Sequence, residues 1–377
     1  MEPSFIIFCA AASALSYTYF AYPALLLLIS RKRPGGDQAV ALPTVSVIIP
    51  FHNEERWVGP KVENTLSWNY PSDRLQIIAV SDGSTDDTPS ILRRYESRVT
   101  VVAYPDRQGK ATALNCGLTH ATGDILMFSD ANVLVHPDAA RIMVGHYGDP
   151  WVGGVSGNVA LQPEGSHEPL GESLYMKYER WLYEQESRAG TMVGADGALF
   201  SIRRECFAPL PADTIADDFE IALGVVERGQ RVRYEPEARA VEIVVADVKA
   251  EFRRKVRMIA GGYQALWRHR SLLHPFRRPA VALQLVSHKM LRWLVPAFLM
   301  AALAASLAAP ESPWLVGAIV AQAAFYGLAA CGWLSRRLRR WLPVYVPYYF
   351  CAVNLAAAVG FWRYLRGRQP ITWQKAR

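Results

Sequence analysis

Gly123–Asn132, GDILMFSDAN, is the stretch on which the fold turns. Ile125–Phe128 are apolar in succession, as a strand buried on both faces requires. The run then ends in Ser129-Asp130-Ala131-Asn132. In extended chain, residues i and i+2 point to the same side, so the Asp130 carboxylate and the Asn132 amide oxygen are expected to face one spot beyond the strand. Two such oxygens suit one hard cation, Mg2+ or Mn2+, held by one or two protein groups with other ligands completing its shell. Alone, an Asp-x-Asn after a strand is more often a turn or Asx motif. Its neighbours decide between the two.

Upstream the same rhythm repeats. Val45–Pro50 (VSVIIP) reads as a buried strand, and Phe51-His52-Asn53-Glu54-Glu55 starts a helix that runs to about Leu66. Leu75–Val80 is a second strand, ending on Ser81–Thr88 (SDGSTDDT), a loop and helix N-cap with Ile91–Tyr95 in the helix. Val99–Ala103 is a third strand, and Gly109-Lys110-Ala111 opens a helix through Leu118. Strand and helix alternate at the spacing of βαβ units, which predicts an α/β domain with a mostly parallel sheet and helices on both faces. Ligands in such sheets sit beyond the carboxyl ends of the strands. Asp82 there has two open readings: acceptor of hydrogen bonds from a nucleobase or ribose, or cap of the next helix. Lys110, at a helix start with free N–H groups, suits a diphosphate. His52 reads as a spacer or cap contact rather than a catalyst. The absence of a Walker motif and of GxGxxG leaves P-loop ATPase and dinucleotide binding unsupported.

The chain has 377 residues, enough for one domain of about 200–250 residues plus membrane segments. Its 51% hydrophobic content is unevenly spread, with both ends very apolar. Phe5–Ile29 carries no charge and is long enough to cross a ~30 Å hydrocarbon core. Arg31-Lys32-Arg33 follow it, where a cleaved signal peptide would have basic residues in front; the positive-inside rule puts that end in the cytoplasm. Leu291–Ala309, Trp314–Leu334 and Trp341–Trp362 are further apolar runs, the last broken by Pro343 and Pro347, with Val281–Met290 expected along the interface. Arg336–Arg340 mark a cytoplasmic turn, while Arg363, Arg366 and Arg368 at the tail conflict with an odd number of later crossings. Phe252–Arg270 fits a basic amphipathic helix on an anionic leaflet, or a solvated basic face. Pro169–Arg188 has an aromatic face that packs on the sheet or lies at the membrane interface. The five cysteines (Cys9, Cys116, Cys206, Cys331, Cys351) show no metal-ligand spacing and read as reduced thiols. A net charge of +7, clustered near the apolar segments, favours membrane lipids and phosphorylated substrates over nucleic acid.

In order and spacing, PFHNEE, SDGSTDDT, GKATALN and SDAN resemble the nucleotide-binding half of membrane-bound family 2 glycosyltransferases of GT-A fold. Gly194–Phe200 (GADGALF) with Arg203-Arg204 resembles the family's acceptor-side segment, and Ala216–Glu220 (ADDFE) its Thr-Glu-Asp motif. The resemblance covers roughly Val45–Trp267. It implies a Rossmann-like GT-A domain flanked by transmembrane helices. It further implies nucleotide contacts from Pro50, His52, Asn53, Glu54, Asp82, Lys110 and Asp130, and a divalent ion, Mg2+ or Mn2+, at Asp130 and Asn132. Asp218 is implied as catalytic base with Asp217 as the alternate, and Asp196, Gly197, Arg254 and Arg257 lie on the acceptor side. Ser81 stands where many relatives carry a second Asp, and Asn132 where others carry Asp. The Gln-x-x-Arg-Trp of processive synthases is matched here by Arg254-Lys255-Val256-Arg257-Met258, which keeps only the Arg.

The expected organisation is a transmembrane helix (1–30), a linker (31–43), a cytoplasmic GT-A domain (44–250), interfacial helices (251–290), transmembrane helices (291–362) and a basic tail (363–377) in the inner membrane. The expected activity is inverting transfer from a nucleotide sugar, a UDP-sugar first, to a lipid-linked or growing glycan acceptor, polyprenyl-linked sugars included. The rivals are a processive synthase that exports its polymer and a non-catalytic membrane scaffold.

Overall fold

The computed structural model describes residues 3–30, 42–164, 174–244, 248–308 and 312–371. The Arg31–Arg33 cluster, most of the linker, the start of the Pro169–Arg188 segment and the end of the basic tail lie outside them. The chain opens with α1 (Pro3–Ser16), a π-helical turn and α2 (Tyr22–Ile29). It continues through β1 (Val45–Phe51), α3 (Glu55–Leu66), β2 (Leu75–Asp82), α4 (Thr88–Arg93), β3 (Thr100–Tyr104), α5 (Lys110–His120), β4 (Ile125–Ser129), β5 (Val133–Val135) and α6 (Ala139–Gly145). Then come β6 (Val152–Pro163), α7 (Leu174–Ala189), β7 (Leu199–Arg203), α8 (Asp217–Glu227), β8 (Arg231–Val244) and α9 (Val248–Arg268). The last helices are α10 (Pro279–Gln284), α11 (Leu291–Ala308), α12 (Pro313–Leu334) and α13 (Leu342–Leu365).

The chain divides into two compact units. One comprises Ile29–Asp247, Gln264–Val281 and Pro370–Arg377. Its eight strands form one sheet in the order β3-β2-β1-β4-β7-β6-β8-β5. β3, β2, β1 and β4 run parallel, β7 is antiparallel to both β4 and β6, and β6 pairs parallel with β8. β1 and β4 have no exposed residue, because helices cover both faces of the sheet. The alternation in the sequence therefore gives the parallel half as expected. The later strands β5, β6, β7 and most of β8, which mix parallel and antiparallel pairs, carry no comparable apolar run and were not anticipated. Parallel register aligns the ends of β1, β2 and β3: Phe51 lies beside Ser81, and Asp82 beside Tyr104. Their following loops are thereby delivered to one edge.

α7 packs on the sheet within this unit. Leu182, Gln185, Glu186 and Ser187 are buried, Tyr234 N–H donates to Ser187 Oγ at 3.1 Å, and the Tyr183 ring lies tilted beside that of Tyr234, centroids 6.3 Å apart. Of its two readings, the structure takes the sheet-packed one.

The other unit comprises Met1–Leu28, Val248–Tyr263 and Ala282–Gln369. Its helices pack through small residues. A Cβ at Gly262 would meet the Trp293 ring at 2.7 Å, one at Gly332 would meet Tyr348 Cβ at 2.7 Å, and one at Gly360 would meet the Val256 carbonyl at 2.9 Å. Among the described residues, four helices are long and apolar enough to cross a membrane: Pro3–Ile29, Pro279–Ala308, Pro313–Leu334 and Leu342–Leu365. Two expectations are corrected. Val281–Met290 does not lie apart but continues into Leu291 as one helix from Pro279 to Ala308. Pro343 and Pro347 do not break the last helix: Pro343 sits in its first turn, where the missing N–H would have no partner, and the helix absorbs Pro347.

Candidate active site

The edge at which β1, β2, β3 and β4 end is held by hydrogen bonds between loops. His52 Nδ1–H donates to the Asp82 carbonyl at 2.7 Å, which fixes the ring as a strut. Asn53 has φ 54°, a left-handed conformation that Asn tolerates, and its Oδ1 accepts from Thr85 N–H at 2.7 Å. Glu54 N–H donates to Thr88 Oγ1 at 2.8 Å and Glu55 N–H to Asp86 Oδ2 at 3.2 Å. The loop after Pro50 and the SDGSTDDT loop are thus stitched into one platform.

Asp82 is fully buried. Its carboxylate accepts from Gln108 N–H at 2.6 Å and from Gly109 N–H at 2.9 Å. Of the two readings the helix cap is not the one found: Asp82 ties down the backbone that leads into α5. It thereby places Lys110, the first residue of that helix.

Lys110 is the hub. Its Nζ lies 2.8 Å from Asp130 Oδ1 and 3.1 Å from Asp217 Oδ2. Burial alone would favour the neutral amine, but the Asp130, Asp217 and Asp218 carboxylates outweigh it and hold Lys110 charged, well above the usual lysine range. The carboxylates that act on Lys110 outnumber its one positive charge, and Asp130 among them offers hard oxygens of the kind that bind Mg2+ or Mn2+. Among the described residues, no three His, Cys, Asp or Glu side chains stand close enough to hold a metal unaided. The chain would supply Asp130, and phosphate and water oxygens the rest.

Asn132 lies in a turn and not in extended chain. β4 ends at Ser129, and Asp130 to Val133 is a turn closed by Val133 N–H on the Asp130 carbonyl at 3.2 Å. The i, i+2 alternation of a strand therefore does not reach Asn132. Its side-chain N–H donates to the Ile243 carbonyl at 2.8 Å, and its backbone carbonyl accepts from Ile243 N–H at 2.9 Å. Asn132 fastens the turn to β8.

Asp217 and Asp218 open α8, but the structure sets them apart. Asp217 is 5% exposed and paired with Lys110. Asp218 is half-buried, and its carboxylate packs on Gly197, where an added Cβ would come within 3.0 Å of Oδ2. Asp196 shapes that loop: its N–H donates to Ser156 Oγ at 2.9 Å and its Oδ1 accepts from Ala198 N–H at 3.1 Å. Arg203 is elsewhere. It pairs in register with Ile125, at the start of β4, and donates to the Val152 and Tyr147 carbonyls. Arg254 and Arg257 lie on the part of α9 that belongs to the other unit, Arg254 bridged to Glu251 at 3.0 Å.

Sequence reasoning missed two supports. Lys61 has no exposed surface, and its Nζ donates to Ser129 Oγ and to the Val133 carbonyl, both at 2.7 Å. Ser129 Oγ donates onward to the Ala198 carbonyl at 3.0 Å. One side chain thus braces both ends of the Asp130 turn and, through Ser129, the loop against Asp218. The available signal was a lysine among Val58, Val62 and Thr65, on the buried face of α3. The second support is the end of α9: Gln264 Oε1 accepts from Ile215 N–H at 3.1 Å, and Arg268 reaches Thr214 Oγ1 at 3.0 Å and Asp213 at 2.8 Å. These bonds clamp the loop that leads into Asp217.

Residues 46–208 match the family model for glycosyl transferase family 2. Over 233 residues the chain is 25% identical to the poly-beta-1,6-N-acetyl-D-glucosamine synthase of Staphylococcus aureus strain COL, covering 59% of this chain and 56% of that one. It is 28% identical over 235 residues to the probable glycosyltransferase YdaM of Bacillus subtilis strain 168, covering 58% and 55%. The matched stretch thus spans little more than half the length of these relatives. Among solved structures, the mannosyltransferase PcManGT from Pyrobaculum calidifontis, in complex with GDP-Man and Mn2+, superposes with a TM-score of 0.74 at 25% identity, over 96% of this chain and 99% of that one.

Proposed function

We propose, from the match of residues 46–208 to the glycosyl transferase family 2 model, that this chain moves a sugar from a nucleoside-diphosphate sugar to a lipid-linked or growing glycan acceptor, with inversion. The observation that carries the reading is the convergence of Asp130, Asp217 and Asp218 on Lys110. A divalent ion at Asp130 would stabilise the charge that develops on the departing diphosphate. Lys110 holds a fixed positive charge beside it, at the start of a helix. An acceptor hydroxyl attacks the anomeric carbon as the bond to the diphosphate oxygen breaks, and its proton passes to Asp218. Asp218 suits this step better than Asp217, because it is reachable from solvent while Asp217 is buried and already paired with Lys110.

A UDP-sugar is our first assay donor and GDP-mannose the second, since PcManGT was solved with GDP-Man and Mn2+. We place residues 44–250 in the cytoplasm and the four apolar helices in the inner membrane. Single addition is the favoured mode, because Met258 replaces the tryptophan of the processive motif. The test incubates the purified full chain with a panel of nucleotide sugars, Mg2+ or Mn2+ and membrane lipid extract, and follows nucleoside diphosphate release and product length. Asp218→Asn is expected to lower transfer by about 10²–10⁴-fold. Near wild-type transfer by that variant would remove Asp218 from the role, and long polymer made from donor alone would favour the processive reading.

A further inference from the structure

A second cleft, of about 460 Å3, shares no residue with the acidic cluster. Glu227, Arg268, Arg270, Ser271, His274 and Arg277 line it. Its charges are unequally spent. Glu227 already accepts from Ser271 Oγ and from His269 Nδ1, the latter at 2.7 Å. Arg268 is matched by Asp213 at 2.8 Å and Glu220 at 3.5 Å. Arg270 and Arg277 are exposed, and among the described residues neither is in an ion pair. The Arg270 guanidinium is held over the Trp267 ring at 5.3 Å, which limits its freedom before any ligand arrives.

Beside these arginines, Trp267 is 65% exposed and Phe276 90% exposed. Leaving a large aromatic ring in water forgoes the gain of burying it, and rings of this kind collect where headgroups meet acyl chains. Arg277 is two residues from Pro279, the first residue of the apolar span Pro279–Ala308. At no more than about 3.6 Å per residue, the chain cannot carry that side of the cleft away from the mouth of the span.

We propose that this cleft binds the phosphate of an anionic glycerophospholipid headgroup, with Arg270 and Arg277 as its ligands and Trp267 and Phe276 set into the interface. A planar guanidinium matches phosphate oxygens in pairs, and the lipid supplies the negative charge that these two residues lack. The inference rests on Pro279–Ala308 being a membrane span and not on sugar transfer, so the two readings fail separately.

The test reconstitutes the full chain in nanodiscs of phosphatidylcholine with a minor fraction of phosphatidylglycerol. Native mass spectrometry then counts the lipid that stays bound. Wild type is expected to retain phosphatidylglycerol selectively, and the double variant Arg270→Gln/Arg277→Gln to lose that retention by about tenfold or more. Arg93→Gln/Arg94→Gln, which removes the same charge from another exposed site, should behave as wild type. All four substitutions are at exposed positions, where folding is little affected. Equal retention by wild type and the cleft variant would overturn the proposal, and so would an equal loss in the control. Displacement of the lipid by millimolar inorganic phosphate would also overturn it, by showing a site for soluble anions.

Discussion

Lys61 shows how much one side chain can organise. It lies wholly inside the protein, and burial drives its ammonium down to about 7 from an ordinary 10.5, with the Asp130 carboxylate working against the drop. The unfolded chain therefore takes up its proton first as pH falls from 10.5, and stability declines until about pH 7, below which both states are charged. The span corresponds to roughly 4–5 kcal/mol as an upper figure. Lys61→Met removes this dependence. It also leaves the Val133 carbonyl without its donor, at a cost of about 1–3 kcal/mol. The variant should melt below wild type at pH 10, and the gap should narrow or reverse by pH 6; parallel melting curves at the two pH values would show no such crossing if Lys61 were not buried as found. Asp217 and Asp218 are separable at the same scale. Asp217→Asn strips Lys110 of a buried partner, so it is expected to weaken nucleoside diphosphate binding and raise KM while kcat changes little. Asp218→Asn should lower kcat instead. Steady-state kinetics on the two variants distinguish them.

Elements meet here at distances that glycine permits. The loop before β7 reaches the first turn of α8 because Gly197 has no side chain; a methyl there would sit 3.0 Å from Asp218 Oδ2 and 3.2 Å from its Cβ. Gly197→Ala should displace the carboxylate by a few tenths of an ångström and lower kcat about tenfold or more, with the thermal midpoint nearly unchanged. Circular-dichroism melts beside the assay would separate a displaced base from a destabilised fold. In the helical unit, Gly360 brings α13 against α9, where an added Cβ would meet the Val256 carbonyl at 2.9 Å and Ile259 Cβ at 3.0 Å. Gly360→Leu is expected to separate the two helices and cost several kcal/mol, read as a lower detergent-solubilised melting temperature. The end of α9 matters equally to the other unit, since Gln264 and Arg268 hold the 213–215 loop.

For the whole molecule, a metal would serve the reaction and not the fold. Structural metal sites have closed protein coordination, and no group of three such ligands exists among the described residues. Chelation should therefore abolish nucleoside diphosphate release while leaving the ligand-free melting temperature in place, and Mg2+ or Mn2+ should restore turnover. A fall in melting temperature on chelation would contradict this. The alternating apolar runs from Val45 to Phe128 gave away the parallel half of the sheet, the edge on which Asp82, Lys110 and Asp130 lie, and the apolar helices, because burial on two faces or in lipid leaves a run of apolar residues in the chain itself. The mixed half beyond β4 left no such run. The contacts of individual polar residues were decided only by the tertiary structure. Asp82 turned out to fasten backbone, Asn132 to fasten β8, Arg203 to lie at the far end of β4, and Lys61 to sit beneath the Asp130 turn. The physical reason is that apolar burial is a property of a segment and is written in its period, whereas a hydrogen bond or an ion pair is set by which distant atom comes within about 3 Å. That partner is fixed by how strands and helices pack, and not by anything in the local sequence.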